Sequence, residues 1–183
     1  MQSFQNSLTE HLDTFNVLHE LASPAEQAAR VIAATFKMGN SLFVCGNGGS
    51  AADAQHFASE LSGRFEKTRP GYPAIALTTD SSALTAIAND FGYERIFARQ
   101  LESLGRQNDL LLVISTSGNS ANLREAVHQA KSQKIATIGL LGRDGGELAP
   151  IVDLPVIVPG ERTSRIQEAH IFLLHYFCEI FEP

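Results

Sequence analysis

The sequence predicts an α/β protein: a doubly wound, parallel, five-stranded sheet preceded by N-terminal helices. Three observations predict it. From residue 41 onward, five short apolar runs alternate with segments of helical periodicity. Most of these runs are continuously apolar rather than alternating, as in strands covered on both faces. The connections are long enough to hold a crossover helix, which parallel strands require. A chain of 183 residues suits one domain, here taken as 1–183, with residues 1–40 as N-terminal helices and 41–183 as the α/β core and C-terminal helix.

The first helix is read from Phe4, Leu8, Leu12, Phe15, Leu18 and Leu21, which recur every three or four residues. Ser23-Pro24-Ala25-Glu26 then predicts a fresh helix start, with Ser23 as cap and Pro24 in the first helical position. Gly39-Asn40 stops that helix. The five strands are expected at 42–45, 74–77, 110–114, 136–140 and 154–158. Helical patterns between them are clearest at 50–61, 93–104 and 121–133. A last helix follows Arg162-Thr163-Ser164 and is apolar on nearly every side, from Ile166 through Phe172 to Phe181. Such a helix is buried all round, so with the N-terminal helices it predicts a homo-oligomer interface.

Composition sets outer limits. Hydrophobic residues make up 44% and charged residues 19%, which excludes a disordered chain. The net charge of -6 removes any overall electrostatic case for nucleic acid. The first residues lack a basic stretch followed by an apolar one, so no signal peptide is expected. The most apolar segment, 169–181, contains His170, His175 and Glu179 and is too short and polar to span a bilayer. The expectation is a soluble, cytoplasmic protein with no membrane partner, and with Cys45 and Cys178 as reduced, buried thiols.

Two loops follow strands and open helices, where ligands of parallel sheets bind. The first is Cys45-Gly46-Asn47-Gly48-Gly49-Ser50, whose glycines let backbone approach a ligand closely; Ser50 is read as a helix cap with Asp53 three residues on. Its third glycine position holds Ala51, which a Gly/Ala variant of the dinucleotide fingerprint permits, but the one candidate ribose partner, Asp80, follows Thr78-Thr79 rather than ending a well-placed strand. The second is Ser115-Thr116-Ser117-Gly118-Asn119-Ser120. Four hydroxyls, an amide and a helix N-terminus make a neutral cradle suited to phosphate. It is no Walker loop, and it also reads as an ordinary turn with Ser120 as helix cap.

Of six histidines, His11, His19 and His128 fall on polar helix faces. His56 lies four residues before Glu60, one turn away on the same face. That pair reads as a solvent-facing helix contact, as two zinc ligands, or as an acid–base pair. On the last helix, Gln167 reads as the partner of Ser164 in a capping box and His175 as a satisfied core histidine. Eight residues separate them, roughly 80° in rotation and about 12 Å in rise. One metal ion could bind both if different subunits contributed them, or if the helix began near Gln167.

Several ordered blocks then identify a resemblance: CGNGGSAADAQHFASELSGRF at 45–65, RPGYPAIAL at 69–77, AIANDFGYERIF at 86–97, ISTSGNSAN at 114–122, GRDGGELA at 142–149 and RIQEAHIFLLH at 165–175. The chain resembles the sugar isomerase (SIS) domain proteins, and within them the phosphoheptose isomerases. The resemblance implies a flavodoxin-like SIS fold, usually tetrameric with active sites shared between subunits. It implies conversion of D-sedoheptulose 7-phosphate to D-glycero-D-manno-heptose 7-phosphate, supplying heptose to lipopolysaccharide. It implies that Asn47, Gly48, Gly49, Glu60, Asn89, Asp90, Ser115, Thr116, Ser117, Ser120 and Gln167 line the substrate site. His56, Glu60, Gln167 and His175 match the family's zinc ligands, one ion per subunit, and Glu60 and His175 match its acid–base pair. Asn89-Asp90 and Arg165-Ile166-Gln167 also fit a relative that associates with the DnaA initiator and regulates replication. The presence of Glu60 and His175 and the uncharged Ser-Thr-Ser-Gly loop favour the isomerase, because a scaffold needs neither acid nor base.

Overall fold

The computed structural model describes residues 3–182. All five expected strands form: β1 Leu42–Gly46, β2 Ala74–Ala76, β3 Leu110–Ser115, β4 Ala136–Gly142 and β5 Leu154–Val158. They pair in parallel in the order β2-β1-β3-β4-β5. β1 and β3 are buried along their whole length, which is why their sequences lack polar alternation.

Among the described residues, seven α-helices surround the sheet: α1 Phe4–Val17, α2 Ala22–Lys37, α3 Gly49–Ser62, α4 Ser81–Phe91, α5 Ile96–Leu104, α6 Ala121–Ser132 and α7 Thr163–Glu179. They form two layers with separate cores. One packs Ile32 of α2, Phe57 and Leu61 of α3, and Leu173 and Phe177 of α7 against Leu42, Val44, Leu110 and Leu112. The other packs Phe97 and Leu101 of α5 and Leu123 and Val127 of α6 against Phe43, Leu111 and Val113. Side chains of one strand thus alternate between two apolar layers. Cys45 and Cys178 are both free and buried.

Three helix starts differ from the sequence expectation. Ser23 caps nothing: the chain passes through a 3-10 turn, Leu18–Leu21, straight into α2. Ser50 lies inside α3, whose cap position is Gly48 and has no side-chain hydrogen bond. Ser164 likewise makes no capping bond at the start of α7. The helix not foreseen, α4, is capped by Asp80, whose carboxylate accepts from the Ala83 N–H at 2.9 Å. Asp80 therefore ends as a helix cap, which gives it a role unrelated to a ribose.

α7 is buried on one side only within the chain. His170 and Leu174 are wholly covered, while Phe172 is 46% exposed. α1 lies along it, tied by His11 Nδ1 to Glu168 at 2.8 Å, by Arg165 to the Ser7 carbonyl, and by Phe15 edge-on to Phe172. His11 is thereby half-buried rather than a surface residue. α3 and α7 pack side by side in the same direction: Gln167 abuts Gly49, and two turns later Phe177 meets Phe57 at 6.3 Å between ring centres.

Candidate active site

The strand order reverses direction between β1 and β3, because β1 leads to β2 on one side and β3 to β4 on the other. A crevice opens at such a switch point, beyond the carboxyl ends of the strands. Gly46 pairs with Ile114 in register, so the 45–50 and 115–120 loops leave the sheet side by side.

The 115–120 loop is shaped by its own polar atoms. The buried Ser115 hydroxyl accepts the Gly118 N–H at 3.0 Å, and the Ser117 hydroxyl accepts the Asn119 N–H at 3.2 Å. Asn119 bridges outward, donating to the Ser117 carbonyl and accepting from the Glu147 N–H at 3.0 Å. Gly118, at φ +68°, is obligatory: a Cβ there would strike the Gly145 carbonyl. The hydroxyls of Thr116 and Ser120 are half-buried and make no hydrogen bond among the described residues. Ser120 occupies the cap position of α6 without using its side chain as a cap. Two uncommitted hydroxyls thus stand at a helix N-terminus, where N–H groups carry partial positive charge.

In the 45–50 loop, the protein holds the Asn47 side chain at both its nitrogen and its oxygen. Its Nδ2 donates to Asn122 Oδ1 at 2.9 Å, and its Oδ1 accepts from Asn122 Nδ2 at 2.8 Å and from the Tyr93 hydroxyl at 3.0 Å. Gly48 and Gly49 open α3, and Gly49 lies so close to the Gln167 amide that a Cβ would collide with it. Asn89 and Asp90 lie exposed at the end of α4, where Asn89 donates to the Asp90 carboxylate at 2.8 Å; neither is hydrogen-bonded to the two loops.

A third cluster stands on α3 and α7. His56 Nε2 faces His175 Nε2 at 2.9 Å, and Glu60 Oε1 lies 3.7 Å from the same His56 nitrogen. The His175 ring is backed by Phe65, 5.6 Å between centres. Two neutral imidazoles in this contact require one Nε2 to donate and the other to accept. His56 and His175 are brought together from 119 residues apart. Gln167 is not: its amide stays beside Gly49, about 12 Å along α7 from His175. α7 begins at Thr163 and runs unbroken past both. His56, Glu60 and His175 thus stand side by side on α3 and α7, and Gln167 lies apart from them.

The donor set, two imidazole nitrogens and a carboxylate, fits zinc chemistry. Among the described residues, no three His, Cys, Asp or Glu side chains converge tightly enough within one chain to close around an ion. Asp53, one turn before His56, adds a carboxyl that the sequence offered only as a capping partner. Its Oδ2 is buried without a hydrogen-bond partner. Burial raises its pKa above the ordinary carboxylate range, and the positive charge of His56 opposes that shift. The spacing of three from His56 was its sequence signal. Asn122 and Tyr93 had none, since each meets Asn47 only through the fold.

Known proteins share this chain's sequence and fold. Residues 3–142 match the SIS domain family. A phosphoheptose isomerase of Trichlorobacter lovleyi is 50% identical over 184 residues, covering 100% of this chain and 94% of that protein. One from Aliarcobacter butzleri is 51% identical over 173 residues, covering 94% and 92%. The solved phosphoheptose isomerase from Neisseria gonorrhoeae superposes with a TM-score of 0.90 at 44% identity, covering 95% of this chain and 94% of that one. The enzyme from Francisella tularensis gives 0.91 at 37% identity, with 98% of each chain covered.

Proposed function

The chain belongs to the SIS-domain family, in its phosphoheptose isomerase branch, and from that premise we propose that it converts D-sedoheptulose 7-phosphate to D-glycero-D-manno-heptose 7-phosphate. The observation that carries this is the half-identity to named phosphoheptose isomerases over the full chain. The geometry supports it. Thr116 and Ser120, with the first N–H groups of α6, take the phosphate. Backbone of Gly48 and Gly49, with the Gln167 amide beside them, takes sugar hydroxyls, and Asn89 and Asp90 serve the same ligand from α4.

Ketose and aldose interconvert by moving a proton from C1 to C2 through an enediol. Glu60 takes the proton from C1 and returns it to C2. His175 moves protons between the O1 and O2 oxygens, held in place by His56 and Phe65. His56, Glu60 and His175 would hold a zinc ion, with Gln167 reaching it from a second subunit. When bound, that ion would polarise the substrate carbonyl. The product is a heptose phosphate suited to lipopolysaccharide assembly, and the compartment that goes with this reading is the cytoplasm. No helix among the described residues is long and apolar enough to cross a membrane. The assembly is a homotetramer: Phe4 and Leu12 on α1, 82% and 53% exposed, and Phe172 on α7 supply its apolar surface.

The test is a coupled assay of sedoheptulose 7-phosphate turnover with wild type and Glu60→Gln. The substitution should cut kcat by roughly a hundredfold to ten-thousandfold with substrate binding retained. Full activity in the variant would remove Glu60 from the chemistry. Measured zinc near one ion per subunit, and lost activity on verified removal, are the parallel expectations for the metal.

A further inference from the structure

The crevice between β1 and β3 is bridged at its base by side chains from three separate segments. Asn47 leaves the end of β1, Asn122 is the second residue of α6, and Tyr93 lies in the turn between α4 and α5. The two asparagines exchange hydrogen bonds at 2.9 and 2.8 Å, and the Tyr93 hydroxyl adds a third at 3.0 Å to Asn47 Oδ1. Asn122 is only 3% exposed. A buried amide pair is costly unless every group is matched, and here the facing groups are matched. An apolar pair would fill the same space, so an amide pair points to a need for fixed register rather than for bulk.

Packing alone does not supply that register. The β1 loop borders an open pocket of about 360 Å³ that Leu84, Ala88, Ile96 and Phe97 also line. With open space beside it, the loop is located by its hydrogen bonds. On the other side of the bridge, Asn122 sits in the first turn of α6, two residues after Ser120 with its unengaged hydroxyl.

We infer that Asn122 and Tyr93 are positioning residues that act through Asn47, bolting the glycine loop to the hydroxyl loop so that one phosphosugar meets both at once. This rests on the phosphosugar reading above. It also assigns Asn47 a different part from a ligand-contacting side chain: its amide holds the loops together, and the loop backbone faces the substrate. Neither residue touches the reacting carbons, so each should affect binding of ground and transition states alike, raising KM with little change in kcat.

The experiment compares full-length wild type, Asn122→Ala, Tyr93→Phe and the double variant by steady-state kinetics with sedoheptulose 7-phosphate, calorimetry with inorganic phosphate, and thermal denaturation. Asn122→Ala should raise KM and the phosphate Kd about tenfold, and Tyr93→Phe about threefold, each with kcat within about twofold of wild type. Tyr93 is 60% exposed, so loss of its hydroxyl should leave Tm unchanged. Because both act on one oxygen, the double variant should fall short of the product of the single effects. Should Asn122→Ala fail to fold, Tyr93→Phe decides alone. Wild-type KM and phosphate affinity in Tyr93→Phe, or a lowered Tm with unchanged KM in Asn122→Ala, overturns the inference. If wild type binds phosphate without turning over the heptulose, the substrate assignment fails and the phosphate affinities still decide the bolt. If wild type binds no phosphate, both fall.

Discussion

His170 shows how one side chain sets a pH limit on the fold. It is wholly buried in α7, its Nε2 bonds the Leu141 carbonyl at 3.1 Å, and its Nδ1 has no partner. Burial drives its pKa down to about 4, and the bond to Leu141 opposes this only in part. The folded protein therefore prefers the neutral ring, while the unfolded chain titrates near 6.5. Stability is complete above about pH 6.5 and falls as pH drops toward 4, by up to about 3 kcal/mol. Asp53 works in the opposite direction, since its raised pKa eases an unfavourable buried charge as pH falls. In His170→Leu, urea midpoints should vary less between pH 6.5 and 4 than in wild type; an unchanged profile would assign acid sensitivity to other groups. At this scale the sequence showed His56 and Glu60 as a one-turn pair, but not their meeting with His175. The one-turn spacing of His56 and Glu60 was local and readable. The contacts of His56 with His175 and of Asn47 with Asn122 span 119 and 75 positions and have no periodic trace. Ser23 misled because a hydroxyl near a helix start signals a cap only when the chain enters from an extended conformation, and α2 is entered from a 3-10 turn; Ser50 and Ser164 misled because they lie inside helices whose cap positions are Gly48 and Arg162.

Among the elements, the strands were legible because full burial leaves unbroken apolar runs, as in Leu110–Ser115. α4 was not, because none of its residues is buried and its stripe is short, with only Leu84, Ile87 and Ala88 packed against the core. Its start signal, Asp80, resembled a cofactor ligand. The end of α3 depends on a residue from the following loop. Arg69 donates to the Glu60 and Leu61 carbonyls at 2.9 and 3.0 Å, lies over the Tyr72 ring, and pairs with Glu182 at 3.7 Å beyond the end of α7. Its guanidinium fork satisfies last-turn carbonyls that a helix leaves open. Arg69→Ala should lower unfolding free energy by roughly 3 kcal/mol, since it strips a buried partner from Glu182. Arg69→Lys should recover only part of that in the same denaturant titration. A loss below about 0.5 kcal/mol, the level of an ordinary surface change, would show the contact to be incidental.

On the scale of the whole molecule, the apolar character of the last helix was visible in sequence, but its coverage was not. Within one chain α1 shields part of it and contributes no buried residue of its own. Between α1, α2 and α7 lies an apolar groove of about 480 Å³ that Phe15, Leu18, Phe172 and Tyr176 line. Under the proposed tetramer, Leu12→Asp should move the protein to smaller species in sedimentation and reduce turnover with it; an unchanged sedimentation profile would place the interface elsewhere. The parallel course of α3 and α7 has a consequence of another kind. Gln167 keeps step with Gly49, and His175 with His56, so the imidazole contact is a matter of phase between two screws. A residue added to either stretch turns everything after it by about 100° and swings one ring out of reach. Outward-facing substitutions can accumulate along both helices over evolutionary time, whereas gains or losses of length between those matched points cannot.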